Sequence, residues 1–226
     1  MKEKGKSAFY TVMEIGVQSV VLNILFLLCS LPVISMGASL TALYAGLRSM
    51  VKREACFRAF FKALRTSFLR ATVAWLILLP LTALALFNGV SILYYYQPGA
   101  LLPLILSIVL AVLLLGITTT VFLFYSRFEG TLWQLLRYGG TLYLTYPLRA
   151  TLIALLTWAP MSLFFFPAVA ALLLPLLPVF LFFYFSVVST AAIWLMNHPF
   201  AQFARDTLGM DIPTAQPVSH EDEDEE

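Results

Sequence analysis

Few side chains of this 226-residue chain could perform acid–base, nucleophilic or metal chemistry. Its histidines are His198 and His220, and its cysteines are Cys29 and Cys56. No pair of His, Cys or carboxylate side chains has the spacing of metal ligands on one helix, and no glycine-rich phosphate loop occurs. The sequence therefore predicts no catalytic residue, no metal site and no cofactor, so we expect a protein that is not an enzyme.

Neutral polar side chains do occur within long segments that carry no charge. The candidate intramembrane residues are Asn23, Asn88, Thr118, Thr119 and Thr120. Within lipid, such side chains most often hydrogen-bond between helices; contact with a transported solute is the alternative. Ion-coupled transport usually needs ionisable groups inside the membrane, and the only candidate, Glu14, is interpreted as an interfacial residue near the end of the first helix.

The distribution of charge predicts the elements that hold these residues. Hydrophobic residues make up 61% of the chain and charged residues 12%, and no Asp, Glu, Lys or Arg lies within residues 15–47, 71–126 or 150–204. About 20 apolar residues cross a bilayer as a helix, and a charge at its centre costs about 2.5–3.5 kcal/mol. We therefore predict an all-α, polytopic membrane bundle that forms one domain over residues 1–204.

We predict six membrane helices arranged as three hairpins. The second and third uncharged segments carry turn signals at "YYYQPGALLP" and "FPAVAALLLPLLP". In the first segment, Pro32 and Gly37 interrupt what would otherwise be a helix about 50 Å long, compared with a hydrocarbon core of about 30 Å. The predicted helices cover about 9–31, 35–53, 71–96, 101–126, 149–170 and 174–197.

The charged segments favour a topology with both termini in the cytoplasm. Three hairpins place every charged segment on one side, and residues 48–70 contain seven Lys or Arg but one acid, as cytoplasmic loops do. The alternative, five crossings, would strand Lys2, Lys4 and Lys6 outside. The tail of residues 205–226 ends in "HEDEDEE", and we predict that it is disordered.

Two cytoplasmic connectors, at about 54–70 and 127–140, are predicted to be amphipathic helices. In the first, phenylalanines form one stripe and the cations Arg58, Lys62 and Arg65 form another, a pattern that suits the lipid headgroup layer. Docking to a transporter subunit is the alternative. The second, "FEGTLWQLLRYGG", is predicted to end at its glycine pair. Nucleic-acid binding is not expected, because the cations lie beside the membrane among phenylalanines.

Two further patterns concern packing and duplication. The small residues Ala38, Ala42, Ala45 and Gly46 share one helix face, which favours close packing within the chain, with a dimer contact as the alternative. The segments "LRATVAWLILLP" (69–80) and "LRATLIALLTWAP" (148–160) are similar enough to raise the possibility of an internal repeat.

The run "NILFLLCSLPVISMGASLTALYAGLRSMV", residues 23–51, resembles the N-terminal signature of the YesL family of bacterial membrane proteins. The matching positions are Asn23, Pro32, Ser35, Gly37, Ala38, Thr41, Ala42 and Leu43. The basic, phenylalanine-rich segment that follows is also similar, so the resemblance covers about the first third of the chain. Genes of this family often lie beside genes for carbohydrate uptake transporters, which implies an accessory role in that uptake; no catalytic or ligand residues are established.

Two functions follow as expectations. The first is an accessory or scaffold subunit that contacts the permease subunits of a carbohydrate transporter in the bacterial plasma membrane. The second is a small permease for a neutral solute, lined by Asn23, Asn88 and residues 118–120. The lipid bilayer is a partner in either case, and the sequence predicts no oligomeric state.

Overall fold

The computed structural model describes residues 8–95, 101–128, 130–163 and 180–208. This part of the chain contains seven α-helices and no strand, which confirms the all-α prediction. A 3₁₀ turn, Val33–Ser35, lies between α1 and α2, and π-helical turns, Phe180–Tyr184 and Ala204–Leu208, flank α7. The helices are α1 (Ala8–Ser30), α2 (Met36–Val51), α3 (Cys56–Tyr94), α4 (Leu101–Tyr125), α5 (Leu132–Thr145), α6 (Pro147–Leu163) and α7 (Phe185–Phe203).

Three of the described helices, α1, α3 and α4, are long and apolar enough to cross a membrane. The apolar part of α6, Pro147–Trp158, is shorter. These helices support the prediction of a membrane protein, but they do not confirm six crossings. The predicted turn around residues 166–178 lies outside the described residues, and so does the acidic end of the chain.

The interruption around Pro32 is a turn between two helices, as predicted. α1 and α2 run antiparallel, because the Ser19 hydroxyl lies 3.6 Å from the Met50 sulfur and Gly46 faces Leu22. At the turn, the Ser35 hydroxyl donates to the carbonyl of Cys29 at 2.6 Å and that of Pro32 at 2.9 Å. The first bond satisfies a carbonyl that the end of α1 leaves without a helical partner, and the second adds to the backbone bond from the Ser35 N–H to the same Pro32 oxygen.

α2 is the central helix of the described fold, and every residue from Met36 to Leu47 is buried. It packs antiparallel to the first half of α3: Gly46 lies against Phe60, and Gly37 lies against Trp75. Small side chains permit this close approach between helix backbones. The stripe that includes Ala38 and Ala42 therefore packs within the chain.

The predicted boundary between a surface connector and a membrane helix at residue 70 is wrong. α3 continues for 39 residues from Cys56 to Tyr94, about 58 Å at 1.5 Å per residue. No glycine occurs near Arg70 to end the helix, and Phe60, Ala71 and Trp75 are buried in one core on both sides of it. The connector and the membrane helix are thus one element.

The first hairpin is offset along α3 relative to the prediction. The Trp75 indole N–H donates to the carbonyl of Val33 at 2.7 Å, so the tip of the hairpin lies level with Trp75. Trp75 follows Arg70 by five residues, which is about 8 Å along the helix axis. A full crossing measures about 30 Å. If Arg70 lies at the inner surface of the membrane, the tip of the hairpin reaches only about 8 Å into the hydrocarbon core. The structure therefore does not confirm that α1 and α2 each cross the membrane completely.

α4 packs along the second half of α3 and then against α5. The Ser107 hydroxyl donates to the Ala85 carbonyl at 2.7 Å, and Gly139 of α5 lies directly on Val121 of α4. α5 continues past Gly139 and Gly140 to Thr145, so the predicted end at the glycine pair is wrong. Gly139 provides close contact between two helices and does not end one.

α6 and α7 complete the described bundle. Trp158 stacks on Trp75 with a centroid distance of 5.6 Å and donates its indole N–H to the Thr119 hydroxyl. The two similar segments therefore meet through their tryptophans, although whether they are duplicates stays a prediction. α7 continues through Pro199 to Phe203, so its predicted end near residue 197 is also wrong.

Candidate functional site

The candidate intramembrane polar residues are not gathered around one space. Asn23 is fully buried, and its side-chain oxygen accepts the backbone N–H of Ser186 at 3.1 Å. Asn88 is exposed on α3. The three threonine hydroxyls each donate to a carbonyl of their own helix, four residues back, and Thr120 also donates to the Gly139 carbonyl of α5. Asn23 and the threonines thus contact protein groups within the bundle.

The residues of the N-terminal signature all lie in the first hairpin. Pro32 and Ser35 form the turn, and Gly37 is the point where α2 approaches Trp75 and Phe122. Thr41 donates to the Gly37 carbonyl at 2.9 Å. Ser35, Gly37, Ala38, Thr41 and Ala42 are buried, whereas Pro32 is exposed. Their contacts hold helices together.

The cations of the first connector lie on the outer face of α3. Arg58, Lys62 and Arg65 are exposed together with the phenylalanine side chains of Phe57 and Phe61. The opposite face of the same turns buries Cys56 and Phe60. We call the exposed face, made of Phe57, Arg58, Phe61, Lys62 and Arg65, the α3 surface.

Three arginines meet at the loop between α4 and α5, an arrangement that sequence reasoning missed. Arg48 donates from Nη2 to the Ser126 carbonyl at 2.8 Å, and Arg70 donates from Nη1 to the Gly130 carbonyl at 2.8 Å. Arg127 belongs to the loop itself. Arg48 and Arg70 lie 78 and 60 residues away from their acceptors in sequence. In the sequence, Arg48, Arg70 and Arg127 only border the uncharged segments. No motif or short spacing indicates that the three arginines lie close together.

Arg127 is the least compensated of these cations. Its guanidinium carbon lies 4.3 Å above the centroid of the buried Phe200 ring, a favourable cation–π geometry. Its Nε is buried without a hydrogen-bond partner in the described part of the chain. Burial and, secondarily, the charge of Arg48 lower the pKa of Arg127 to about 10. The guanidinium is therefore still protonated at neutral pH.

Two cavities share Arg48, Arg127 and Phe128 as wall residues. The larger measures about 920 Å³ and lies between α1, the end of α2 and α7, with Lys52 as its third cation. The smaller, about 410 Å³, lies beside α3 and adds Arg58, Lys62 and Glu54 to its wall. Glu54 is the one carboxylate among the described residues that line either cavity. The cationic walls of this arrangement can bind an anion.

One region of the chain matches a known family of proteins. Residues 19–89 match a family model described as "Protein of unknown function, DUF624". The matched stretch contains the second half of α1, all of α2 and most of α3, and with them the signature residues and the α3 surface. Neither the curated proteins nor the solved structures give a match.

Metal chemistry finds no support in the described residues. No group of three or more His, Cys, Asp or Glu side chains that could hold a metal ion occurs among them. Cys29 and Cys56 are both free thiols there, one half-buried and one buried. What distinguishes this part of the molecule chemically is the group of arginines around the loop between α4 and α5.

Proposed function

We propose that the protein is a non-enzymatic member of the YesL family that serves as an accessory or scaffold subunit for carbohydrate uptake in the bacterial cytoplasmic membrane. The family match over residues 19–89 falls on the region that resembles YesL. The link to carbohydrate uptake rests on that resemblance. Its partner would be a permease subunit of the transporter, bound through the helices that face the lipid and through the α3 surface.

The observation that carries the scaffold role is the continuity of α3. A connector that lay flat in the headgroup layer would bury its phenylalanines in lipid and act as an anchor. Instead, the α3 surface belongs to a 39-residue helix that also contains the apolar segment after Arg70. The helix is about 58 Å long, which exceeds the hydrocarbon core by about 28 Å. Exposed aromatic and cationic residues on a helix of this length suit contact with a neighbouring subunit, because these types often anchor interfaces.

A permease for a neutral solute has less support. Such a protein needs polar groups that converge on a cavity near the membrane centre. Asn23 and the threonines instead hydrogen-bond within the bundle, and Asn88 faces outward. The two cavities around Arg48 and Arg127 are lined by none of them.

For the topology, we propose that both termini lie in the cytoplasm and that the six predicted helices pair as three hairpins, with the first hairpin entering the bilayer only part-way. Ser19 of α1 lies beside Met50 of α2, so the amino-terminal part of α1 and the turn after α2 share one end of the hairpin. This arrangement keeps Lys2, Lys4 and Lys6 on the same side as residues 48–70, in agreement with the positive-inside tendency.

The scaffold role is tested by purification from native membranes in a mild detergent, with quantification of carbohydrate-transporter permease subunits that accompany the protein. We expect these subunits to co-purify with the wild-type chain. Combining Phe61→Ala with Arg65→Ala should reduce their recovery at least about tenfold, because truncating the hot-spot residues of an interface costs about 2 kcal/mol or more. The matched control combines Leu148→Ala with Arg149→Ala, which removes an exposed apolar residue and an exposed cation from α6.

Two results would contradict the proposal. One is the repeated recovery of the wild-type protein without permease subunits. The other is an equal loss of these subunits in the α3 pair and the α6 pair, which would show that the contact does not depend on the α3 surface.

A further inference from the structure

The larger cavity combines cationic and apolar walls. Arg48, Lys52 and Arg127 are its charged side chains, and none of the described residues that line it is acidic. Ser19, Ser186, Thr190 and Asn197 add neutral polar groups. The apolar part of the wall is formed by Ile15, Met50, Val51, Val187, Ile193 and Trp194.

The cavity opens at the side of the bundle. Val187 and Trp194 of α7 are 61% and 76% exposed, and Ile15 of α1 is 43% exposed, so apolar side chains of both helices are exposed at its mouth. Its volume of about 920 Å³ lies at the upper end of the range for small-molecule sites, about 300–1,000 Å³. A ligand with a charged head and an apolar tail fits such a space.

The cationic side chains of the larger cavity favour the binding of an anion. Arg127 has a buried Nε without a partner in the described chain, and its other described contact is the uncharged ring of Phe200. Arg48 is held toward the loop by a single bond to the Ser126 carbonyl. The Glu14 carboxylate, next to Ile15, accepts a hydrogen bond from the Gln18 side chain. Glu54 lines the smaller cavity, where its charge offsets part of the lowering of the Arg48 pKa by burial. Guanidinium groups bind phosphate oxygens in a bidentate manner.

We propose that this cavity is a binding site for an anionic phospholipid, with the phosphate held by Arg48 and Arg127 and an acyl chain along Val187 and Trp194. Basic pockets between membrane helices at the cytoplasmic side are suited to lipid phosphates. The site is separate from the α3 surface, so it stands or fails independently of the scaffold role.

The test is native mass spectrometry of the full-length protein after reconstitution in nanodiscs that contain equal amounts of phosphatidylglycerol and phosphatidylcholine. The wild-type protein should retain one phosphatidylglycerol after transfer to detergent. Arg127→Gln should reduce this retention at least about tenfold, because a hydrogen bond to a charged group is lost. Arg149→Gln removes an equal charge from the exposed side of α6, away from both cavities, and should retain the lipid as the wild type does.

A second pair of variants keeps the test decisive if Arg127→Gln does not fold. Val187→Trp fills the mouth of the cavity with a bulky side chain and should displace the acyl chain, because Val187 lines the cavity and is largely exposed. Val73→Trp adds the same bulk at an exposed position of α3 outside the cavity. Only the first should lower retention of phosphatidylglycerol.

Three outcomes would overturn the proposal. Equal retention by Arg127→Gln and the wild type would exclude the arginines as the phosphate site. Equal loss in Arg149→Gln would indicate a non-specific attraction of charge. Displacement of the lipid by millimolar inorganic phosphate or glycerol phosphate would assign the site to a soluble phosphate and would refute a lipid ligand; with a lipid, the isolated headgroup should compete poorly.

Discussion

At the scale of single residues, Asn23 and Asn88 look alike in the sequence but differ in their surroundings. Both lie in uncharged segments, so hydropathy predicts that both are intramembrane polar residues. Asn23 bonds to the start of α7, 163 residues away, whereas Asn88 lies on the outside of α3. The sequence could identify the residue types but not this difference, because the partner of Asn23 comes from a distant segment.

The difference predicts that the same substitution has unequal effects at the two positions. Asn23→Leu should lower the free energy of unfolding by about 1–3 kcal/mol, because it leaves the buried N–H of Ser186 without its acceptor. Asn88→Leu, the matched control, should change it by less than about 0.5 kcal/mol, as exposed positions usually do. Both are measured by thermal or denaturant unfolding in one detergent. Equal effects would show that the bond between Asn23 and Ser186 adds no stability.

At the scale of elements, helix positions could be predicted better than helix ends. The charge-free segments locate α1, α2 and α4 to within a few residues, because exclusion of charge is the dominant local signal in lipid. The continuity of α3 through Arg70, of α5 through its glycine pair and of α7 through Pro199 could not be predicted. At the glycine pair and at Pro199, packing against other helices continues an element that local propensity suggests should end. At Arg70 the predicted boundary comes from the charge pattern alone, and no residue near it ends the helix.

The two adjacent glycines of α5 test this explanation. A Cβ atom at Gly139 would lie 2.6 Å from the Val121 side chain and 2.7 Å from its Cα, whereas one at Gly140 would meet nothing within 4 Å. Gly139→Ala should therefore cost about 1–3 kcal/mol of stability by overpacking. Gly140→Ala should be neutral or stabilise by up to about 1 kcal/mol through helix propensity.

The measurement is again unfolding in detergent, with helix content from circular dichroism as a check on the fold. If Gly139→Ala were as stable as Gly140→Ala, α4 and α5 would not be in the close contact described here.

At the scale of the whole molecule, the tip of the first hairpin and the end of α3 lie at different levels. The tip around Val33 and Ile34 lies level with Trp75, and Tyr95, the residue directly after α3, lies 20 residues further along the chain. That separation is about 30 Å along a helix, the thickness of the hydrocarbon core. The sequence predicts that the turn near Pro32 and the turn after α3 both lie outside, since both lack charge. Only the contact between Trp75 and Val33 shows that the two turns lie at different levels along α3.

Cysteine labelling of intact cells distinguishes the two turns. In a background of Cys29→Ala and Cys56→Ala, Tyr95→Cys should react with an impermeant maleimide from outside, because Tyr95 is 80% exposed at the end of α3. Ile34→Cys should not react, although Ile34 is 58% exposed in the isolated chain. Labelling of both would show that the first hairpin crosses completely, and Lys4→Cys labelled from outside would refute the cytoplasmic amino terminus.

The order of contacts along the chain also bears on biogenesis. α2 is enclosed largely by α1 and α3, its nearest neighbours in sequence, through the pairs Gly46 with Leu22 and Gly46 with Phe60. These three helices are complete by Tyr94, before any of α4 has been translated. A ribosome-bound nascent chain can therefore assemble these three helices first. The later helices then pack onto them, with Phe122 and Trp158 in contact with Trp75.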